Sequence, residues 1–385
     1  MRMKNHVCIV RRSYYPADLH VKRNADCLVS EGYSVDLICL RNKNALRFEN
    51  IDGVRVHRVP LRARRQSVVS YIGEYLGFWA LAFLKVTALH LKNFFDVVEA
   101  DSMPDFLIFA GLVPRLTGAK LVLYLMESMP ELWAQKQNLH PGHPVIKFIR
   151  WQEKVSCRFA RAVITCHELA RQEIVRMGIP PEKITAILNV PDEKRFHPIE
   201  AQTAKNGIFR IVQHGTIAEN YGIQVVLKAL KSLGREFDVR FDVIGAGEYR
   251  PALEKMVIGF GLQDKVSFHG YIPLGHLLGL LRRSTAGVVP MLYEYQSPGK
   301  LFEYVALGIP VIASDRKTFK QHFNEGEVFY FRTGDSESLA SVLRRVYNGT
   351  NELKTRKDRA SRRYEDYRWG IEKNKYLGIY SSLNS

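Results

Sequence analysis

The feature that most constrains this chain is a strand–helix alternation that runs to about residue 190, breaks, and begins again. Short apolar runs at 7–10, 34–40, 54–59, 97–99, 120–125 and 162–166 are separated by stretches with helical spacing, among them 21–31, 104–116, 151–158 and 169–177. Nearly continuous apolar strands alternating with helices predict a parallel sheet covered on both faces. From Asn189 to Asn206 the chain turns polar and carries Pro191 and Pro198, which reads as an interdomain linker. Strands are then expected at 210–214, 239–244, 266–269, 286–290, 310–313 and 328–331, with helices at 222–233, 249–260, 274–283, 301–307 and 336–347. The expected architecture is α/β: two Rossmann-like α/β/α domains facing each other across a cleft, at the carboxyl ends of the strands.

Charge narrows the partner. Lys+Arg is 56 and Asp+Glu 39, a net charge of +17, which points to nucleic acid, acidic lipid or a phosphorylated small molecule. An apolar fraction of 46% excludes disorder as the main state. No recognition motif or aromatic-interleaved basic module is present, so nucleic acid is not expected. The five cysteines (Cys8, Cys27, Cys39, Cys157, Cys166) are odd in number and lack CxxC spacing, which suggests buried thiols in a reducing compartment. The first residues hold too short an apolar run for a secretory signal, and a cytoplasmic location is expected.

The longest apolar region, 68–95, is interrupted by Glu74, Lys85, His90 and Lys92. Its uninterrupted part, 75–84, is shorter than the ~20 residues that cross a bilayer. It reads as a buried helix. The alternative is a helix lying on an anionic membrane, assisted by the run Arg55, Arg58, Arg62, Arg64 and Arg65. A basic stretch from Arg344 to Arg363 has no assigned partner and reads as a solvated helix.

Candidate chemistry gathers in the second half. Gly215 and Thr216 follow the 210–214 strand, and Gly245-Ala246-Gly247 follows the 239–244 strand. Glycines at such turns let backbone amides approach an anion, although tight turns need them for steric reasons alone. A dinucleotide fingerprint is excluded because its third glycine is absent. In SPGKLFEYVALGIPVIAS, residues 297–314, Ser297, Pro298 and Gly299 turn into a helix that opens with Lys300 and Leu301 and brings Glu303 onto the same face. A lysine and open amides at a helix start suit a diphosphate, and a carboxylate one turn later suits a ribose diol. Spacing alone fits an ordinary helix-surface ion pair better.

This segment resembles the donor-nucleotide site of glycosyltransferase family 4, the retaining GT-B enzymes, in particular members that build polysaccharides. The likeness extends over nearly the whole chain: RRSYYPADLHVKRNADCLVSEGYSVDLICLR at the start, then DSMPDFLIFAGLVPRLTGAKLVLYLMESMPELW, ILNVPDEKRFHP, HGTIAENYGI, FDVIGAGEYRPALE, VSFHGYIP and, at the end, YRWGIEKNKYLGIY. The resemblance implies a GT-B fold with an acceptor domain at 1–198, a nucleotide-sugar domain at 199–367, and a terminal helix, about 368–385, crossing back to the first. It implies that Glu303 binds ribose, Lys300 contacts phosphate, Gly215 lets its loop approach the diphosphate, and His269 to Tyr271 flank the base. Thr216, Gly245, Gly247, Tyr295, Ser297, Pro298, Gly299 and Leu301 complete the expected donor site.

Three departures stand out. Tyr295 occupies the place of the family's first carboxylate, with Glu294 one position off, and Thr216 and Tyr221 stand where many members carry basic residues. In the first domain, where relatives carry Asp-x-His-Asp, the run is Tyr124-Leu125-Met126-Glu127. Met126 cannot take a proton. Glu127 is therefore the expected catalytic carboxylate beside Lys300, with a helix-capping role as the equal alternative. The expected partners are a nucleotide-sugar donor, by default UDP-linked, a glycan or lipid-linked acceptor, and an anionic membrane surface. The absence of an Asp-x-Asp after a strand implies no metal or other cofactor. A non-catalytic or partner-dependent subunit and a nucleotide-sugar 2-epimerase are the rival readings.

Overall fold

A computed structural model describes residues 6–61, 68–199, 208–294, 297 and 299–384. Two units emerge: Met1–Asn189 with Glu372–Ser385, and Val190–Ile371.

The first unit carries β1 (His6–Arg11), β2 (Ser34–Leu40), β3 (Phe48–Ile51), β4 (Val54–Val59), β5 (Val97–Asp101), β6 (Lys120–Leu125), β7 (Ala162–Thr165) and β8 (Ile184–Ala186) in the order β3-β4-β2-β1-β5-β6-β7-β8. All pair in parallel except β3 with β4. Its helices are α1 (Leu19–Ser30), α2 (Val68–Lys92), α3 (Leu112–Leu116), α4 (Met129–Lys136), α5 (Pro144–Phe159) and α6 (Glu168–Arg176). The β3–β4 hairpin was not anticipated. Asp52 and Gly53 turn it with φ of 51° and 88°, and the Asp-Gly pair that permits such a turn stands in the sequence. The helix expected at 104–116 is a 3-10 stretch, Asp105–Gly111, followed by the short α3.

The second unit is wholly parallel, with β9 (Phe209–His214), β10 (Val239–Ile244), β11 (Val266–Gly270), β12 (Ala286–Val289), β13 (Val311–Ser314) and β14 (Phe329–Phe331) in the order β11-β10-β9-β12-β13-β14. Its helices are α7 (Ile223–Leu233), α8 (Arg250–Phe260), α9 (Leu274–Leu281), α10 (Gly299–Ala306), α11 (Lys317–Lys320), α12 (Ser336–Asn348) and α13 (Thr350–Tyr364). Ile211, Val226, Leu230, Phe241, Val243 and Leu339 are fully buried in its core.

The last helix, α14 (Trp369–Asn384), enters the first unit at Glu372. Glu372 accepts the Leu188 N–H at 2.8 Å, and Lys373 pairs with Glu31 at 2.8 Å. Tyr376 and Tyr380 donate to the buried carboxyl of Glu99 on β5 at 3.1 and 2.7 Å. The units divide at 189/190 and 371/372, earlier and later than the expected 198/199 and 367/368. Residues just beyond 189 pack on the second unit: Ile199 donates to Leu307 O at 3.1 Å, and Glu193 pairs with Arg368 at 3.9 Å.

Candidate active site

In the second sheet the strand order reverses beside β9, which has β10 on one side and β12 on the other. Ligands of open α/β sheets bind outside the carboxyl ends of strands at such a point. Two loops meet there. Gly245 has φ of 141°, and a Cβ on it would lie 1.8 Å from the Gly215 carbonyl oxygen; one on Gly247 would lie 2.0 Å from that of Ile217. Backbone touches backbone, which glycine alone permits. The N–H groups of Gly215 and Gly245 are spent on Ile244 O and Gly270 O, each at 2.8 Å. These two glycines thus allow the loops to pack backbone on backbone, with their own N–H groups bonded within the sheet. Thr216 is exposed.

Lys300 arches over this loop: a Cβ on Gly215 would lie 2.9 Å from its Cε. Its Nζ lies 3.0 Å from Glu303 Oε1 and 3.2 Å from Oε2. Burial favours the neutral carboxyl of Glu303, but the Lys300 charge and a hydrogen bond from His214 hold its pKa at about 2. His214 Nε2 lies 2.5 Å from Glu303 Oε2, and Nδ1 lies 2.9 Å from the Tyr304 hydroxyl. Burial, reinforced by Lys300, lowers the His214 pKa and keeps the ring neutral. The amides of Gly299, Lys300 and Leu301 open α10 and have no partner within the helix, at its positive dipole end. The Leu301 side chain is fully buried, so this expected donor contact is limited to its backbone. Among the described residues the buried Ser297 Oγ has no hydrogen-bond partner. Tyr295 and Pro298 lie outside the described residues.

The remaining expectations separate. His269 is turned to Asp242, with Nε2 2.7 Å from Oδ1, and Tyr271 is exposed. Glu294, the residue one off the expected first carboxylate, accepts the Thr318 N–H of α11 at 3.1 Å and pairs with Arg316 at 3.3 Å. It holds a helix start. Sequence reasoning missed His214 and Tyr304. The available signal was a histidine closing the apolar strand FRIVQH, since a buried imidazole needs partners.

In the first unit Glu127 is half-buried in the turn between β6 and α4. The cap position of α4 belongs to Ser128. The turn is pinned at Met126, whose N–H reaches Ser102 Oγ at 3.1 Å and whose carbonyl accepts from Cys166 at 2.9 Å. The expected basic run is partly consumed inside the unit. Arg55 pairs with Asp36 at 2.7 Å, and Arg58 is buried against Glu49 and Leu46 O, which corrects their membrane-facing assignment. Arg62, Arg64 and Arg65 lie outside the described residues. On α2, Phe78, Ala82 and Val86 are buried in the core, while Ile72, Leu76 and Leu84 are exposed. By length and composition α2 could cross a membrane. Its buried face marks it as a covering helix of the sheet. In the C-terminal basic stretch Arg344, Arg345, Arg356 and Arg363 pair with Glu236, Glu352 and Asp366. Among the described residues no group of three or more His, Cys, Asp or Glu is arranged to hold a metal ion.

Residues 17–189 match the family model for a glycosyl transferase 4-like domain, and residues 208–349 match that for glycosyl transferases group 1. The α-D-kanosaminyltransferase of Streptomyces kanamyceticus is 24% identical, covering 68% of this chain and 72% of its own. The O-antigen chain mannosyltransferase of Salmonella typhimurium is 24% identical, covering 59% and 65%. Among solved structures, Anabaena HepE in complex with UDP-glucose superposes with a TM-score of 0.75 at 15% identity, covering 98% and 99%.

Proposed function

The chain belongs to the GT-B glycosyltransferases whose 4-like and group 1 models match its two halves, and from that premise we propose that it moves a sugar, with retention of configuration, from a UDP-sugar to a glycan or lipid-linked oligosaccharide of surface polysaccharide assembly. The observation that carries this reading is the Lys300–Glu303 pair at the start of α10, seated against Gly215 and backed by His214. UDP-glucose in the Anabaena HepE complex and the O-antigen chain in the name of the Salmonella mannosyltransferase support it.

In this reading Glu303 accepts hydrogen bonds from the ribose hydroxyls. Lys300 and the first amides of α10 take up the charge that develops on the leaving diphosphate, the main stabilising effect expected of such a site. The bond from the anomeric carbon to the diphosphate breaks. A bond to the acceptor oxygen forms on the same face, and the acceptor proton passes to the departing phosphate oxygen. This exchange balances without a protein base or a bound metal. Glu127 serves as a carboxylate facing sugar or acceptor. The protein works in the cytoplasm on an anionic membrane face, where the exposed apolar residues of α2 rest.

The test is incubation with UDP-sugars, with and without short glycan and lipid-linked acceptors, in the presence of EDTA. Acceptor-dependent release of UDP with an α-linked product from an α-linked donor supports the reading. Isomerisation of the donor without acceptor would establish the epimerase instead, and donor binding without any transfer would establish a non-catalytic subunit.

A further inference from the structure

We propose that His214 is the positioning residue of the donor site: it fixes Glu303 by one oxygen so that the other can pass from Lys300 to the ribose diol when a nucleoside diphosphate enters. This rests on the reading of Glu303 as the ribose acceptor.

Glu303 and Tyr304 are consecutive on α10, so their side chains leave the helix about 100° apart. Both nevertheless reach one imidazole, Glu303 at Nε2 and Tyr304 at Nδ1. The ring closes β9 and is 3% exposed. Its protons follow from its partners. Glu303 is ionised and can only accept, so Nε2 carries the hydrogen and donates. Nδ1 is then bare and accepts from the Tyr304 hydroxyl, which is buried and held un-ionised. That hydroxyl also lies 3.2 Å from Val212 O, a longer contact. Tyr304 is in turn seated by Gly287 of β12, where a Cβ would lie 2.5 Å from its ring. The imidazole is therefore held at Nδ1 by a fully buried hydroxyl, and its Nε2 meets the half-buried Glu303.

The two oxygens of Glu303 differ in what holds them. Oε2 is held by the buried ring at 2.5 Å and lies 3.2 Å from the Lys300 ammonium, whereas Oε1 meets that ammonium at 3.0 Å and not the ring. Lys300 is 31% exposed on a flexible stem. An incoming diphosphate draws the ammonium away and leaves Oε1 with open lone pairs at a position that His214 maintains. Without His214 the carboxylate would follow Lys300 to the phosphate and lose its aim at the diol.

The experiment is calorimetric titration of UDP, GDP and ADP, each beside its 2′,3′-dideoxy form, into wild type, His214→Asn and His214→Gln. Wild type is expected to prefer one natural diphosphate over its dideoxy form by about 10-fold, as for a hydrogen bond to a charged group. In His214→Asn that preference collapses to about 2-fold while affinity for the dideoxy form is unchanged. His214→Gln restores most of the preference, because its amide N–H reaches the place of Nε2. A diol preference retained in His214→Asn, or equal losses for both ligand forms, overturns the positioning role. A wild type with no diol preference, or one that binds none of the nucleotides, sinks the reading of Glu303 itself, a separate and recognisable failure. Should His214→Asn not fold, Tyr304→Phe removes only the outer hydroxyl. It is expected to weaken the preference, and an unchanged preference overturns the proposal.

Discussion

His214 and Glu303 stand on different elements, β9 and α10, yet their side chains meet at 2.5 Å and the carboxylate stays ionised beneath the Lys300 ammonium. In the proposed function, the acceptor for the ribose diol is thus charged and aimed before any ligand arrives. Preorganisation of this kind lowers the cost of binding.

Kinetics should separate the two α10 residues. Glu303→Ala is expected to raise the donor KM by about 10- to 100-fold, as for loss of charge-assisted hydrogen bonds, with a smaller change in kcat. Lys300→Ala is expected to lower kcat by about 100-fold, as for loss of one group stabilising transition-state charge. Steady-state assays with varied donor check this; two variants with wild-type kinetics would remove both from the site.

Acid stability should report the same pair. The pKa of Glu303, about 2, lies below its ordinary value of 4.5. The folded state therefore binds fewer protons than the unfolded chain between these values, and stability falls as pH drops through that window. In Lys300→Ala the folded pKa rises toward the ordinary value, so this contribution is smaller and the acid-side fall shallower. Urea midpoints measured from pH 2 to 6 on both proteins test the sign.

Glu99 should act in the opposite sense. Burial raises its pKa to about 7 against the hydrogen bonds from Tyr380 and Tyr376, and Asp101 beside it is shifted the same way. The unfolded chain ionises near 4.5 while the folded protein keeps the proton. Stability therefore declines as pH rises from about 4.5 to 7. Glu99→Gln, which carries no proton to lose, should flatten that decline in thermal melts. Tyr380→Phe should cost about 1 kcal/mol, the worth of one buried hydrogen bond.

Gly245→Ala should damage the donor site through its backbone. The new Cβ meets a carbonyl oxygen at 1.8 Å in a left-handed conformation. A destabilisation of about 3 kcal/mol is expected from overpacking and backbone strain together. Denaturant unfolding measures it, and an alanine variant of wild-type stability would mean the two loops do not touch.

The proposed membrane contact has its own readout. Leu76→Asp with Leu84→Asp alters only exposed positions of α2, so folding should be retained. Co-sedimentation with phosphatidylglycerol vesicles should fall while binding to phosphatidylcholine vesicles stays low throughout. Equal sedimentation of variant and wild type would place the contact elsewhere.

Much of this protein is legible in one dimension because its strands are short, apolar and locally punctuated. β2, β6 and β10 lie where their apolar runs stand, since burial on both faces leaves a pattern that needs no distant partner. The doubled alternation and the Lys300–Glu303 spacing are equally local. The tertiary structure alone decided which groups those residues serve. It put His214 and Tyr304 behind Glu303, spent the Gly215 and Gly245 amides on neighbouring strands, turned Arg55 inward to Asp36, and assigned Glu294 to the start of α11. Each of these depends on a partner between 19 and 90 residues away. Hydrogen bonds and charges act over a few ångströms of space, so their pairing is set by how the strands are ordered and not by their spacing along the chain.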